Sequence, residues 1–239
     1  MKGIYAVQDT LSEKTYRNLR GKLLAGELKA GAQLVNRTLA QAMNVSLAPV
    51  REAIQRLATE GLVEHVPGAG AFVRKSSPQD LEELYVLREA VESCAAAEAA
   101  CNITKHHLDA LGEVQDEFEA ILTAIRREKS KTATEDMLDR WLDCEEKFHL
   151  IVVDAARNRL IAKVIEDYTA LGQVFGVQRH RAAILTLVVA EATCRDHAAI
   201  AEALRERDAV TARRLMSEHI QKGRKTVLDY LRSQRRSNA

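Results

Sequence analysis

Apolar residues recur at Val50, Ile54, Leu57 and Ala58, at i, i+4, i+7 and i+8, the spacing of one buried face of an α-helix. The stretch that carries them, residues 46–61, has limits of its own. Ser46 suits an N-cap, Pro49 falls in the first turn where its missing N–H is harmless, and Gly61 suits a left-handed stop. Arg51, Gln55 and Thr59 are left on another face. Arg and Gln are the side chains that read guanine and adenine edges bidentately in a major groove. A shorter helix over residues 36–43 precedes, and the connection Asn44-Val45-Ser46 has the length of a helix-turn-helix link. Residues 62–66 and 71–74 then flank the turn Pro67-Gly68-Ala69-Gly70. Cap, stop, link and hairpin together predict a winged helix-turn-helix.

The pattern changes after Lys75-Ser-Ser-Pro-Gln-Asp80, a polar connector that also starts a helix, with Ser77 as N-cap, Pro78 at the first position and Asp80 at the third. Beyond it strand signals stop and Gly and Pro become scarce. Polar breaks near 102–104, 128–133, 156–158, 180–181 and 207–208 predict helices over 78–101, 104–127, 134–155, 158–179, 182–206 and 208–233. Breaks this short favour antiparallel neighbours, so a mainly α chain is expected, its bundle of about six helices following the winged module. Residues 233–239 carry no apolar face and are expected to fray. The domains are accordingly 1–76 and 77–239.

Charge sharpens that division. Residues 1–76 hold 11 Lys and Arg against 6 Asp and Glu, whereas residues 77–239 hold 24 against 28, a contrast hidden in the overall charge of +1. A basic module suits phosphate contacts, since counterion release dominates affinity for DNA. Aliphatic and Ala side chains fill the core, with aromatics at 4%. No run of about 18 apolar residues and no signal-peptide pattern is present, so a cytoplasmic protein without a membrane partner is expected. Cys94, Cys101, Cys144 and Cys194 form no C-x-x-C pair and are read as reduced core thiols.

A second constellation lies in the bundle. Glu145 and His149 are i, i+4 on one predicted helix and project from one face. His197 and His219 flank the break at Arg207-Asp208 almost symmetrically, so an antiparallel hairpin puts both about 15 Å from the turn. One carboxylate and three imidazoles converging in this way suit a divalent transition ion, zinc first, with nickel or manganese as alternatives. An isolated histidine is more commonly a surface or hydrogen-bonded core residue, the reading given to His65, His106, His107 and His180. Arg88 shares a stripe with Leu84, Val91 and Ala95, which aims a permanent cation at the interior. Its fork fits the carboxylate of an acidic effector, or equally that of a neighbouring helix, Glu145 included, or the side chain snorkels at the edge of the bundle. Tyr168 is placed to reach the same cavity, with core packing as the competing explanation.

Residues 10–75 resemble the amino-terminal domain of the GntR family of bacterial transcriptional regulators, through Ala25-Gly-Glu-Leu-Lys-Ala-Gly31, Leu39-Ala40, Val45-Ser46, Pro49-Val-Arg-Glu-Ala53, Glu60-Gly-Leu62 and Gly70-Ala-Phe-Val73. The resemblance implies three helices and a β-hairpin wing. It also implies a DNA surface at Arg37, Ser46, Leu47, Ala48, Pro49, Arg51 and Gly68, to which the exposed-face reading adds Gln55. Leu47-Ala48 stands where an Arg-Thr pair is usual, which removes a basic contact. Residues 80–225 resemble the FCD ligand-sensing domain of the FadR subfamily, through Leu87-Arg-Glu-Ala-Val-Glu92, Glu145-Glu-Lys-Phe-His149, Asn158-x-Leu160, Asp196-His197 and His219-Ile220. In metal-binding members an Asp-x-x-x-His pair and two later histidines hold the ion, corresponding to Glu145, His149, His197 and His219. Glu145 departs from the usual Asp.

The implied function is a ligand-responsive regulator that binds a palindromic DNA operator as a homodimer and senses a small organic acid or sugar acid. Two other classes compete. A metal-dependent enzyme acting on a carboxylate is disfavoured because the chain has no Gly-rich phosphate loop, no H-E-x-x-H and no nucleophile with a recognisable base. A helical interaction protein whose winged module binds protein would lack salt-dependent affinity for a DNA duplex.

Overall fold

The protein is described by a computed structural model covering residues 10–174 and 184–237. Ser76 closes one compact unit and Ser77 opens a second.

The first unit contains α1 (Leu11–Leu24), α2 (Asn36–Ala42), α3 (Leu47–Thr59), β1 (Val63–Val66) and β2 (Gly70–Val73). Its core joins Leu19 and Leu23 of α1 to Val50, Ala53, Ile54 and Leu57 of α3, all nearly solvent-free. Polar links brace the same pair of helices: Arg56 donates to Glu13 at 2.7 Å, and Tyr16 donates to Glu60 at 2.6 Å. Burial, with Glu60 adjacent, pushes the Tyr16 phenol up to about 12. Ser46 adopts the extended N-cap backbone, but its hydroxyl makes no capping bond. The reason lies three residues on, where Pro49 occupies the position whose N–H an N-cap side chain prefers. Gly61 ends the helix at φ 75°, a conformation that costs other residues about 1 kcal/mol or more. In the wing, Val63 pairs with Val73 and Val66 with Gly70, and Gly68 turns the chain at φ 75°.

The second unit is built from α4 (Pro78–Asn102), α5 (Lys105–Arg127), α6 (Glu135–Ala155), α7 (Arg159–Val174), α8 (Leu187–Arg205) and α9 (Ala209–Ser237). Ser77 and Asp80 form a reciprocal capping box at the start of α4. Thr104 and His107 do the same for α5, and the other ring nitrogen of His107 meets Asp154 at 3.1 Å. That histidine is structural. Helix α4 packs along α9, α5 lies against α6 and α8, and α8 and α9 form a hairpin. Arg207 turns the hairpin at φ 57° while its guanidinium caps the Cys101 and Ile103 carbonyls at the end of α4. Among the described residues no helix is long and apolar enough to cross a membrane.

Two helix limits differ from expectation. The predicted start at 182 fails because Thr186 makes an antiparallel bridge with Thr132, and the Leu185 carbonyl accepts from Ala133. An extended segment therefore precedes α8, and Thr186 caps it. The predicted end of the preceding helix at 179, like His180, lies outside the described residues. Helix α9 runs on to Ser237, through residues expected to fray. Arg, Gln and Ser tolerate helix without an apolar face.

Candidate functional site

On α3 the buried stripe leaves Arg51, Gln55 and Thr59 exposed, together with Ser46, Leu47 and Ala48 at its start. Arg37 on α2 and Gly68 at the wing tip are exposed as well. Pro49 is buried, so it shapes the first turn of α3 and offers little surface.

In the second unit Glu145, His149, His197 and His219 each direct one ligand-type atom into a common space, all four within 4.8 Å of one another. The hairpin brings His197 Nε2 and His219 Nε2 to 3.4 Å, and His149 Nε2 lies 4.0 Å from Glu145 Oε2. Donors about 2.0–2.1 Å from an ion sit roughly 3–4 Å apart, so these spacings fit a first-row divalent ion. Among the described residues His149 Nε2 is buried and has no hydrogen-bond partner, which leaves it available to a metal ion.

Surrounding groups hold the donors in place. Trp141 Nε1 donates to Glu145 Oε1 at 3.1 Å, one turn away on α6. His197 is fully buried and stacks on Phe148 at 4.0 Å between ring centroids. Burial, aided by His219, pushes the His197 imidazole well below its usual pKa, which keeps it neutral and its lone pair available. Asp196 stands 3.7 Å from His219 Nδ1 and is held by Lys222 at 2.6 Å. Burial opposes its ionisation, but the bonds from His219 and Lys222 prevail and lower its pKa.

Glu92, which was not singled out from sequence, is the junction of this network. It is 3% exposed, and it accepts from Arg88 Nε at 2.8 Å and from the Tyr168 hydroxyl at 2.7 Å. Its second oxygen lies 2.6 Å from His149 Nδ1, an ion-pair separation too oblique to count as a well-directed hydrogen bond. Burial alone would raise the Glu92 carboxyl, yet Arg88 and His149 outweigh it and hold the group well below the usual carboxylate range. The signal was present in the sequence, four residues after Arg88. Arg88 forms an ion pair with Glu92 of its own helix. Tyr168 is buried with its hydroxyl committed to Glu92, and it is not among the residues lining the adjoining cavity.

That cavity, of about 190 Å³, is lined by Arg88, Glu145, Asp196 and His219 together with apolar side chains of α6, α8 and α9. The four cysteines are free thiols. Cys144 is buried, but Cys101 is exposed, contrary to the expectation of four core thiols.

Comparison with known proteins accounts for both units. Residues 11–73 match the bacterial regulatory proteins of the gntR family, and residues 83–222 match the FCD domain. The chain is 28% identical over 212 residues to the HTH-type transcriptional repressor RspR of Escherichia coli, covering 88% of this chain and 86% of that one. It is 30% identical over 110 residues to the HTH-type transcriptional regulator McbR of the same species, covering 46% and 50%. The solved structure of E. coli McbR/YncC shares the fold, with a TM-score of 0.66 at 21% identity over 90% of this chain and 95% of that one. A helix-turn-helix that presents a polar face, followed by a helical bundle of this kind, therefore has its place among regulators and not enzymes: the chain belongs to the GntR family of transcriptional regulators, in the group that carries an FCD domain.

Proposed function

We propose that the protein is a ligand-responsive regulator that binds a palindromic operator as a homodimer, its affinity set by a small carboxylic acid bound beside a metal ion in the helical unit. The observation that carries this reading is the set of four converging donors, opening on a cavity that a guanidinium also lines. Glu145, His149, His197 and His219 would hold the ion, with zinc the first candidate and nickel or manganese behind it. Such an ion supplies a Lewis-acidic position at which a carboxylate can replace water. Arg88 offers the second contact to the acid, and Tyr168 acts at one remove by steadying Glu92. A homodimer presents two α3 helices to two half-sites, and an acid shifts operator affinity only if it favours one arrangement of the dimer over another.

Operator binding measured across titrations of carboxylic acids, in metal-loaded and chelator-treated protein, tests the reading. Acid-dependent binding that vanishes with the metal is the expected result, whereas a response indifferent to both overturns it. On the DNA side, Arg51→Ala is expected to weaken specific binding by about 1–3 kcal/mol. Folding should be unaffected, because Arg51 lies outside the buried stripe of α3. Equal loss on specific and random duplexes would reduce Arg51 to a phosphate contact.

A further inference from the structure

Resting on the reading of this cavity as an acid site, we propose that its ligand is a carboxylate with a compact apolar body and one further polar group, and that polyhydroxylated sugar acids are excluded. Three helices build an apolar wall beyond the donors. Leu138 lies seven residues before Glu145 on α6, Val189 eight before His197 on α8, and Val227 eight after His219 on α9. All three line the cavity. At a rise of 1.5 Å per residue, each apolar side chain stands about 10–12 Å along its helix from the donor. Helices α8 and α9 run antiparallel, and the Thr132–Thr186 bridge joins the amino-terminal ends of α6 and α8. All three offsets therefore point the same way. Ile184, Leu185 and Ile220 add to this wall.

The polar groups of the cavity are mostly committed elsewhere. Asp196 is taken by Lys222, Trp141 donates to Glu145, and the Thr226 hydroxyl donates to the Lys222 carbonyl at 2.9 Å. A sugar acid laid along the wall would lose water from several hydroxyls and regain few bonds, whereas an alkyl or aryl body gains by burial. Among the fully buried polar atoms of the residues that line the cavity, one has no partner. It is the hydroxyl of Tyr85, a residue 1% exposed that forms part of the cavity lining. Its ring lies beside Gly223, four residues beyond His219, where an added Cβ would meet Tyr85 Cε1 at 3.7 Å. On this proposal Tyr85, part of the lining beyond the cluster, turns its unpartnered hydroxyl to a single hydroxyl or carbonyl of the ligand. Size agrees with this: an apolar cavity of about 150 Å³ holds benzene, so about 190 Å³ suits a six-carbon chain or one ring with its carboxylate.

The test uses hexanoate, 3-hydroxyhexanoate and gluconate, three six-carbon monocarboxylates, titrated calorimetrically into zinc-loaded and chelator-treated full-length protein. Hexanoate is expected to bind at least about tenfold tighter than gluconate, and only with metal present. Gluconate binding as tightly or tighter, with metal dependence intact, overturns the apolar ligand class and leaves the acid-site reading standing. Binding by none of the three acids, or binding indifferent to metal, overturns that reading and this proposal with it. Tyr85→Phe, with unchanged metal content, is expected to raise the preference for hexanoate over 3-hydroxyhexanoate several-fold. An unchanged preference removes Tyr85 from ligand contact.

Discussion

Glu92→Gln is expected to lower the stability of the helical unit by about 3 kcal/mol or more, the range found when one partner of a buried ion pair is removed. The carboxylate is 3% exposed, and it meets Arg88, Tyr168 and His149 at 2.8, 2.7 and 2.6 Å. Glutamine keeps the volume and one carbonyl acceptor but removes the charge, so Arg88 is left as a cation without its counterion. Its side chain is 19% exposed, which lets water screen part of the fault and places the effect at the lower end of the range. Urea denaturation followed by helical circular dichroism reads the change. A variant as stable as the parent would show that the network is replaceable by neutral hydrogen bonds. Arg88→Met creates the mirror-image fault, a buried carboxylate without its main cation. That variant is therefore no clean probe of effector binding.

For His197→Ala the expected loss is in metal affinity, by more than about 100-fold, since removing a mere outer-shell partner of a ligand costs about 10–100-fold. His197 is the most buried of the four donors, and Phe148 and Phe118 fix its ring. Equilibrium dialysis against buffered zinc measures the effect, and parental affinity in the variant would discard the cluster as a metal centre. The same imidazole sets a pH dependence in metal-free protein. Its pKa is well below 6.5 when folded and returns to about 6.5 on unfolding, so the unfolded chain binds the extra proton. Stability is fully present above about pH 6.5 and falls as the pH drops below it. His197→Ala should flatten that decline.

The winged module was legible because each of its signals is local. The stripe at Val50, Ile54 and Leu57, the stop at Gly61 and the glycine turn at Gly68 act within a few residues of themselves. The hairpin argument for His197 and His219 also needed only a helical rise and the position of the break at Arg207-Asp208. Glu92 escaped because its importance comes from Tyr168, 76 residues away, and from His149 on a different helix. No periodicity encodes such a meeting. The extended residues before α8 escaped for the same reason, their partner Thr132 being distant in the chain. Ser46 illustrates a third kind of miss, in which a residue well suited to a cap is disarmed by Pro49 three positions later.

Through Glu92 the two candidate ligands of the helical unit are thermodynamically coupled. Arg88 and His149 draw on the two oxygens of one carboxylate. An acid that recruits Arg88 weakens its hold on Glu92, which frees charge density to polarise His149 and makes that ring a stronger donor. Linkage then requires the ion to raise the affinity for the acid by the same factor by which the acid raises the affinity for the ion. On the proposed reading, a protein coupled in this way would report neither ligand alone but their joint presence.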